Sequence, residues 1–168
     1  PTEKYDLLIE LARGFVDRSE YRAALVPMRQ ALLLTETTGD NHARAYSLRV
    51  IGGLQEGLSE YRRALATERR ALKLYRALGD RQEEGSMLLN IAITHYRLGD
   101  FREALDELEA ARAIVAEAGP STMLANILMT TARIHGTLGW LDRSLDGLLE
   151  ALRSVATLGE SLLLSTLL

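Results

Sequence analysis

The feature that most constrains this chain is a tandem repeat with a period of 40 residues within a length of 168. The dipeptide Gly39-Asp40 returns as Gly79-Asp80, and glycine stands again at positions 119 and 159. A second marker runs half a period out of phase, as EYRAAL at 20–25, EYRRAL at 60–65, DFREAL at 100–105 and WLDRSL at 140–145. Such a period indicates a fold that stacks one small structural unit.

Each unit is predicted to be a pair of helices. In the third repeat Leu88, Ile91 and Ala92 share one apolar stripe, with charged residues on the opposite face. We expect glycines 99 and 119 to end helices in the left-handed conformation, and Asp40, Asp80 and Asp100 to cap the helices that follow. The A helices are predicted near 3–17, 41–57, 80–97 and 120–137, and the B helices near 20–37, 60–77, 100–117 and 140–157.

Three features modify this pattern. Pro27 should kink or locally break the first B helix, because proline lacks the backbone N–H that the helix needs. Glycines 52, 53 and 57 should make the second A helix the least stable. Pro120 suits the first turn of a helix, where a missing N–H costs little.

The third repeat, from Asn90 through RLGDFREAL at 97–105 to Ala111, closely resembles the tetratricopeptide repeat. The family's small helix-packing positions match Ala12, Ala24, Ala31, Gly52, Ala64, Ala71, Ala92, Ala104, Ala111, Ala132, Ser144 and Ala151. The resemblance implies an all-α fold, a right-handed α-solenoid of antiparallel helix pairs. It places one domain over 1–168, with repeats at about 1–38, 39–78, 79–118 and 119–158 and the start of a further helix at 159–168.

The 40-residue period is longer than the family's usual 34 residues. It is similar to the long-helix variety found in bacterial signal-regulated transcription activators, in diguanylate cyclases with helical sensor regions and in peptide-pheromone receptors. Kinesin light chains and mitotic-spindle adaptors have comparable repeats. Fold resemblance does not choose among these functions.

The resemblance also implies a protein- or peptide-binding groove lined by the A helices. Its candidate residues are Asp6, Glu10, Arg13, Asp17, Tyr46, Arg49, Gly53, Glu56, Ser86, Asn90, Tyr96, Arg97, Asn126, Thr130, Arg133 and Thr137. Asn90 stands where the family often holds a peptide backbone, since an amide both donates and accepts. The arginines could meet carboxylates. The groove residues of repeat one are mostly acidic, so the groove is expected to be charge-polarised.

Composition and motifs argue against other classes of function. The net charge is -3 and the basic residues are dispersed, which disfavours nucleic-acid and membrane binding. Cysteine is absent, which fits a reducing cytoplasm. His95 and His135 occupy equivalent positions one repeat apart and are interpreted as packing residues, not as metal ligands. Ser86, Ser121 and Ser161 have no elbow or acid-base partner around them, and no phosphate loop or dinucleotide fingerprint occurs, so we expect no enzyme activity, cofactor or metal.

The C-terminal segment suggests self-association. A fifth A helix is predicted to start after Gly159 and to expose Leu162, Leu163, Leu164, Leu167 and Leu168. Further repeats or a second copy would cover it, giving a possible homodimer. The favoured hypothesis is a sensory or regulatory module of a larger cytoplasmic bacterial signalling protein. The alternatives are a static scaffold or oligomerisation spacer, and an enzyme whose chemistry lies in flanking segments.

Overall fold

The computed structural model describes the backbone of residues 2–116 and 121–167, and side chains over 3–116 and 121–157. The described chain is helical with short turns, and it contains eight helices. They are α1 (Thr2–Asp17), α2 (Tyr21–Thr38), α3 (Asn41–Gly57), α4 (Tyr61–Leu78), α5 (Arg81–Leu98), α6 (Phe101–Ala116), α7 (Thr122–Thr137) and α8 (Leu141–Leu167). The odd-numbered helices are the A helices and the even-numbered ones are the B helices. The predicted fold class of consecutive antiparallel helix pairs is confirmed.

The small packing positions lie where helices approach closely. Eleven of the twelve are buried, from Ala12 in α1 to Ala151 in α8. The twelfth, Ser144, is half-buried, and its hydroxyl donates a hydrogen bond to the backbone carbonyl of Ala132 at 2.8 Å. A Cβ added at Gly147 would lie 3.1 Å from the Ala132 Cβ, which leaves little room for a larger residue. These contacts fix the distance between the A and B helices of a repeat.

The helix ends follow the expected capping chemistry at most junctions. Gly39, Gly79 and Gly99 have positive φ and end α2, α4 and α5. The carboxylates of Asp40 and Asp80 accept hydrogen bonds from the backbone N–H groups of residues 43 and 83, at 2.9 and 3.1 Å. These bonds satisfy N–H groups that a helix start leaves free.

Two expected caps differ in the structure. Asp100 lies 3.3 Å from the ring nitrogen Nδ1 of His95 and has no cap bond to α6, because the buried imidazole competes for its carboxylate. The fourth A helix begins at Thr122 instead of residue 120, and Ser121 caps it by accepting a hydrogen bond from the backbone N–H of Leu124 at 3.1 Å. Gly119 and Pro120 lie outside the described residues.

Two further expectations are corrected. Helix α2 runs without a break through Pro27, whose ring is buried, so the lost hydrogen bond does not end the helix. Helix α8 continues through Gly159 to Leu167, so the segment 159–167 is not the start of a separate helix. The other capping glycines 39, 79 and 99 are followed by aspartate, whereas Gly159 is followed by Glu160, which favours helix and caps poorly. Leu162, Leu163, Leu164, Leu167 and Leu168 lie outside the described side chains.

The interface between α4 and α5 contains two buried carboxylates in different environments. The Glu84 carboxylate accepts hydrogen bonds from Arg76 and Arg81, both at 2.9 Å. Burial by itself would raise the pKa of Glu84, but the two guanidinium groups outweigh it and lower that pKa. One repeat earlier, Glu36 and Arg44 form the corresponding pair at 3.5 Å with the charges exchanged. This position therefore joins successive repeats by ion pairing.

Glu68 is the second buried carboxylate and has no cationic hydrogen-bond partner among the described residues. It is 1% exposed, at a position that Met28, Leu108 and Leu148 fill in the other repeats. Its carboxylate accepts a hydrogen bond from the Thr94 hydroxyl at 2.9 Å. Burial is the main cause that raises the pKa of Glu68 to about 7. The hydrogen bond from Thr94 lowers this pKa, and the negative charge of Glu56 raises it further.

The second repeat makes room for Glu68 with a glycine. A Cβ added at Gly52 would lie 2.7 Å from Glu68 Cγ, and the other repeats have alanine at this position. Thr94, which bonds the carboxylate, likewise replaces Gly14, Leu54 and Ile134 of the other repeats. Gly52, Glu68 and Thr94 therefore form one matched polar insertion in an otherwise apolar core.

We expect Glu68→Gln to remove a pH-dependent part of the stability. An acid whose pKa is higher in the folded than in the unfolded chain stabilises the fold below its ordinary value of 4.5, and that contribution is lost as the pH rises through about 7. At about 1.4 kcal/mol per pH unit, the wild-type chain should lose up to about 3 kcal/mol relative to Glu68→Gln across this interval. Denaturant unfolding at a series of pH values measures the difference.

The matched control is Glu109→Gln, which removes an exposed carboxylate from α6. Its unfolding free energy should stay parallel to that of the wild-type chain at all pH values. If the free energies of unfolding of the wild-type chain and of Glu68→Gln changed in parallel with pH, the raised pKa of Glu68 would be contradicted.

Candidate functional site

The A helices line the inner curve of the array. Among the described residues, Cα atoms within 8 Å of each other join α3 to α5 and α5 to α7, but no two B helices approach in this way. Helices that lie closer together on one side of a stack make that side concave. The solvent-facing side chains of α1, α3, α5 and α7 therefore form a shared surface, here called the A-helix face.

Most of the predicted groove residues are accessible on this face. Asp6, Glu10, Arg13, Arg97, Asn126 and Arg133 are exposed, and Tyr46, Arg49, Ser86, Asn90 and Tyr96 are half-buried. Thr130 is the exception, because it is 7% exposed and its hydroxyl donates a hydrogen bond to the Asn126 carbonyl at 2.8 Å. Its β-branched side chain packs inward, so Thr130 does not contribute to the accessible surface.

Several arginines predicted to meet a ligand carboxylate already have partners in the array. The Arg49 guanidinium lies 4.9 Å from the centroid of the Tyr46 ring and 3.6 Å from the Glu83 carboxylate on α5. The Arg133 guanidinium lies 4.8 Å from the Tyr96 ring, again across two A helices. These contacts hold neighbouring A helices in register and orient the cations before any ligand arrives.

In the same region, the charge of Arg97 affects the pKa of Glu56. Burial raises the pKa of the Glu56 carboxyl, and the positive charge of Arg97 opposes that rise.

At the other end of the array, Arg13 pairs with Glu10 at 2.8 Å, but both side chains are more than half exposed and contribute little stability.

Ser86, Asn90 and Asn126 are uncharged polar side chains of the A-helix face that have no protein partner within the described residues. Ser86 and Asn90 stand one helical turn apart on α5, and Asn126 occupies on α7 the position that Ser86 occupies on α5. The two amides each offer a donor and an acceptor to an incoming group. These side chains are free to form new hydrogen bonds.

A cleft of about 420 Å³ opens where the N-terminal halves of α1, α3 and α5 meet. Its lining combines aromatic rings and acids, namely Tyr5, Asp6, Ile9, His42, Ala43, Tyr46, Tyr75, Asp80 and Glu83. The Tyr5 hydroxyl donates a hydrogen bond to the Ala43 carbonyl at 2.9 Å and lies 3.1 Å from the Ser47 hydroxyl. The cleft is therefore acidic, whereas Arg97 and Arg133 lie farther along the face.

His95 and His135 pack against neighbouring side chains of the array. His95 is 4% exposed and lies 3.3 Å from both Arg69 and Asp100. The ring of His135 contacts that of Trp140, with centroids 5.5 Å apart. Among the described residues, no three histidine, aspartate or glutamate side chains are grouped as metal ligands would be. In the same part of the chain, no helix combines the length and hydropathy that a membrane span requires.

Sequence reasoning missed the polar layer behind the A-helix face. Besides Glu68 and Thr94, it contains a hydrogen bond from the Thr67 hydroxyl to the Gln55 side-chain oxygen at 2.8 Å. The available signal was a departure from the repeat: Glu68 stands in a column of Met and Leu. Comparing the four repeats position by position would have found it.

We expect Tyr5→Phe to loosen α1 from α3. The change removes the hydrogen bond to the Ala43 carbonyl, and the free energy of unfolding should fall by about 1 kcal/mol. Chemical denaturation measures the loss. The control is Tyr61→Phe, whose hydroxyl makes a longer contact of 3.4 Å to Ser59 at an exposed position. Equal effects of the two changes would count against this role for Tyr5.

Comparison with known proteins identifies the fold at low sequence identity. No protein-family profile matches the sequence, and no curated protein matches it significantly. A Rap protein complexed with competence and sporulation factor aligns with a TM-score of 0.82 at 21% identity, over 92% of this chain and 43% of that one. The Rap conjugation gene regulator of plasmid pLS20, in complex with the Phr* peptide, aligns with a TM-score of 0.76 at 13% identity, over 95% and 44%.

A third similar structure is a signal-transduction ATPase with a tetratricopeptide repeat sensor from Pyrococcus horikoshii. It aligns with a TM-score of 0.83 at 15% identity, over 94% of this chain and 24% of that one. The chain thus spans less than half the length of each of these three proteins. At these identities the likeness concerns the fold alone. The chain therefore has the tetratricopeptide-type helical-repeat fold.

Proposed function

We propose that this chain is a binding module that takes a peptide or an extended protein segment along its A-helix face. The observation that carries the proposal is the set of unpartnered polar side chains on the inner curve, Ser86, Asn90 and Asn126. An extended peptide presents backbone N–H and C=O groups along its length. The side-chain amides of Asn90 and Asn126 can form hydrogen bonds with these backbone groups whatever side chains the peptide carries.

The charges on the face suggest an orientation for the ligand. Asp6, Asp80 and Glu83 surround the tyrosine-lined cleft, which suits a basic residue of the ligand. Arg97 and Arg133 suit an acidic residue or a terminal carboxylate. Because Tyr96 already orients Arg133, a carboxylate would meet a guanidinium that loses little side-chain freedom on binding.

We place this module in a larger cytoplasmic bacterial signalling protein, as its sensory or regulatory segment. Two structures of similar fold contain a bound peptide or factor, and a third includes a repeat sensor beside an ATPase. The lack of cysteine is compatible with a reducing compartment. On this proposal the segment itself performs no catalysis, and ligand binding would act by shifting the curvature of the array.

The proposal is tested with a displayed library of random peptides selected on the 168-residue chain. The affinity of a selected peptide is then measured by calorimetry for Asn90→Ala combined with Arg133→Ala. Loss of one hydrogen bond at about 1 kcal/mol and of one charge contact at about 2 kcal/mol should weaken binding roughly a hundred-fold. Asn90 is half-buried without a side-chain hydrogen bond and Arg133 is exposed, so the variant should fold as the wild type does.

The matched control combines Gln30→Ala with Arg62→Ala, which removes an exposed amide and an exposed guanidinium from the B helices. This variant should bind the peptide as the wild-type chain does. Equal loss in both variants, or none in either, would contradict a ligand on the A-helix face. That result would favour the second candidate function, a static scaffold or oligomerisation spacer, for which the exposed apolar surface of α8 is the supporting observation.

A further inference from the structure

The outer surfaces of α2 and α4 form a strip that lies on the side of the array opposite to the A-helix face. On each helix four outward positions follow the spacing of a single helix face. They are Arg22, Val26, Arg29 and Leu33 on α2, and Arg62, Ala66, Arg69 and Lys73 on α4, and all eight are exposed. These eight residues are here called the outer strip.

The exposure of the outer strip is a property of the repeat. The equivalent positions on α6 and α8 are exposed as well, namely Arg102, Asp106, Glu109, Ala113, Asp142, Asp146, Leu149 and Arg153. Each helix pair therefore directs these positions to the solvent, wherever the pair stands in the array.

Helix α2 places two large aliphatic side chains at these outward positions. Val26 and Leu33 are 59% and 63% exposed, and they lie two helical turns apart on the same side of α2. Their equivalents on α4 are Ala66 and Lys73, a small and a charged residue. Val26 and Leu33 add nothing to the core from this side, so their apolar surface is available to a partner.

The outer strip is also basic. It contains five basic residues and no acid, and Glu68, the one acid within α4, is 1% exposed and faces the core. Apart from Arg69, which lies 3.3 Å from the ring nitrogen Nε2 of His95, the basic residues of the strip have no side-chain partner among the described residues. Arg69 and Lys73 stand one turn apart, a spacing at which like charges destabilise a helix. The fold therefore carries this charge without gaining stability from it.

The width of the strip indicates the shape of its partner. Helices α2 and α4 both pack on α3, but no Cα atom of one lies within 8 Å of a Cα atom of the other. A helix lying along the space between them would contact both. On the neighbouring α6, the exposed acids Glu103, Asp106 and Glu109 have no ion-pair partner among the described residues. They would repel a nucleic-acid duplex or an anionic membrane, which are broad enough to reach them, but not a single helix between α2 and α4.

We infer that the outer strip binds an acidic amphipathic helix of a partner protein. The apolar side of that helix would cover Val26 and Leu33, and its carboxylates would pair with the basic residues of α2 and α4. Because the strip and the A-helix face lie on opposite sides, one chain can hold this helix and a groove ligand together.

The probe that tests this inference is a synthetic peptide of 18 residues, the length of α2 and of α4. Leucines recur along one side of the peptide and glutamates occupy the rest, and fluorescence anisotropy measures its affinity for the full 168-residue chain. Arg62→Glu with Lys73→Glu should weaken binding roughly ten-fold or more, because attractive contacts become repulsive. Val26→Ser with Leu33→Ser should weaken it roughly ten-fold, because buried apolar area is lost.

The matched control is Arg143→Glu with Arg153→Glu, which changes the net charge by the same amount at exposed positions of α8. This variant should bind the peptide as the wild-type chain does. So should Asn90→Ala with Arg133→Ala, because those residues belong to the A-helix face. Circular dichroism should show equal helicity in all the variants.

Three results would overturn the inference. One is that the wild-type chain binds the peptide no more tightly than a version with lysine in place of glutamate. Another is an equal loss of affinity in the strip variants and in the α8 control. The third is tighter binding of a short DNA duplex or of phosphatidylserine vesicles, measured in parallel, which would identify the strip as a surface for a broad polyanion.

Discussion

The close approach of the two helices within each repeat determines most of this structure. Alanine or glycine at nearly every contact position lets an A helix and a B helix pack with little space between their backbones. Because the same positions return every 40 residues, each pair presents an equivalent surface to the next. The stack, its inner curve and the A-helix face all follow from that repetition.

The second repeat departs from this uniformity in a coordinated way. Glu68 enters the core only because Gly52 removes a methyl group and Thr94 supplies a hydroxyl. On the accessible side of the same layer, Glu56 experiences the charge of Arg97. The charge of Glu56 also raises the pKa of Glu68, so the polar core and the A-helix face are neighbours in space.

The sequence alone predicted the helix pairs because glycine caps, aspartate caps and small packing positions are local signals that recur along the chain. The predicted end of the last B helix near residue 157 was wrong. The expected stop rested on Gly159 alone, and no aspartate that could cap a following helix comes after it. Thr130 was misjudged because half a turn of helix separates an inward from an outward side chain. The contacts of Arg49 and Arg133 could not be predicted, since they depend on how neighbouring repeats are rotated against each other.

The most direct test of the account is to locate a bound peptide on the array by nuclear magnetic resonance. Amide signals of the isotopically labelled chain would be followed while a library-selected peptide is added. The account predicts that the largest shifts fall on α3, α5 and α7, around Ser86, Asn90 and Asn126. Shifts concentrated on the outer surfaces of α2, α4 and α6 would contradict it.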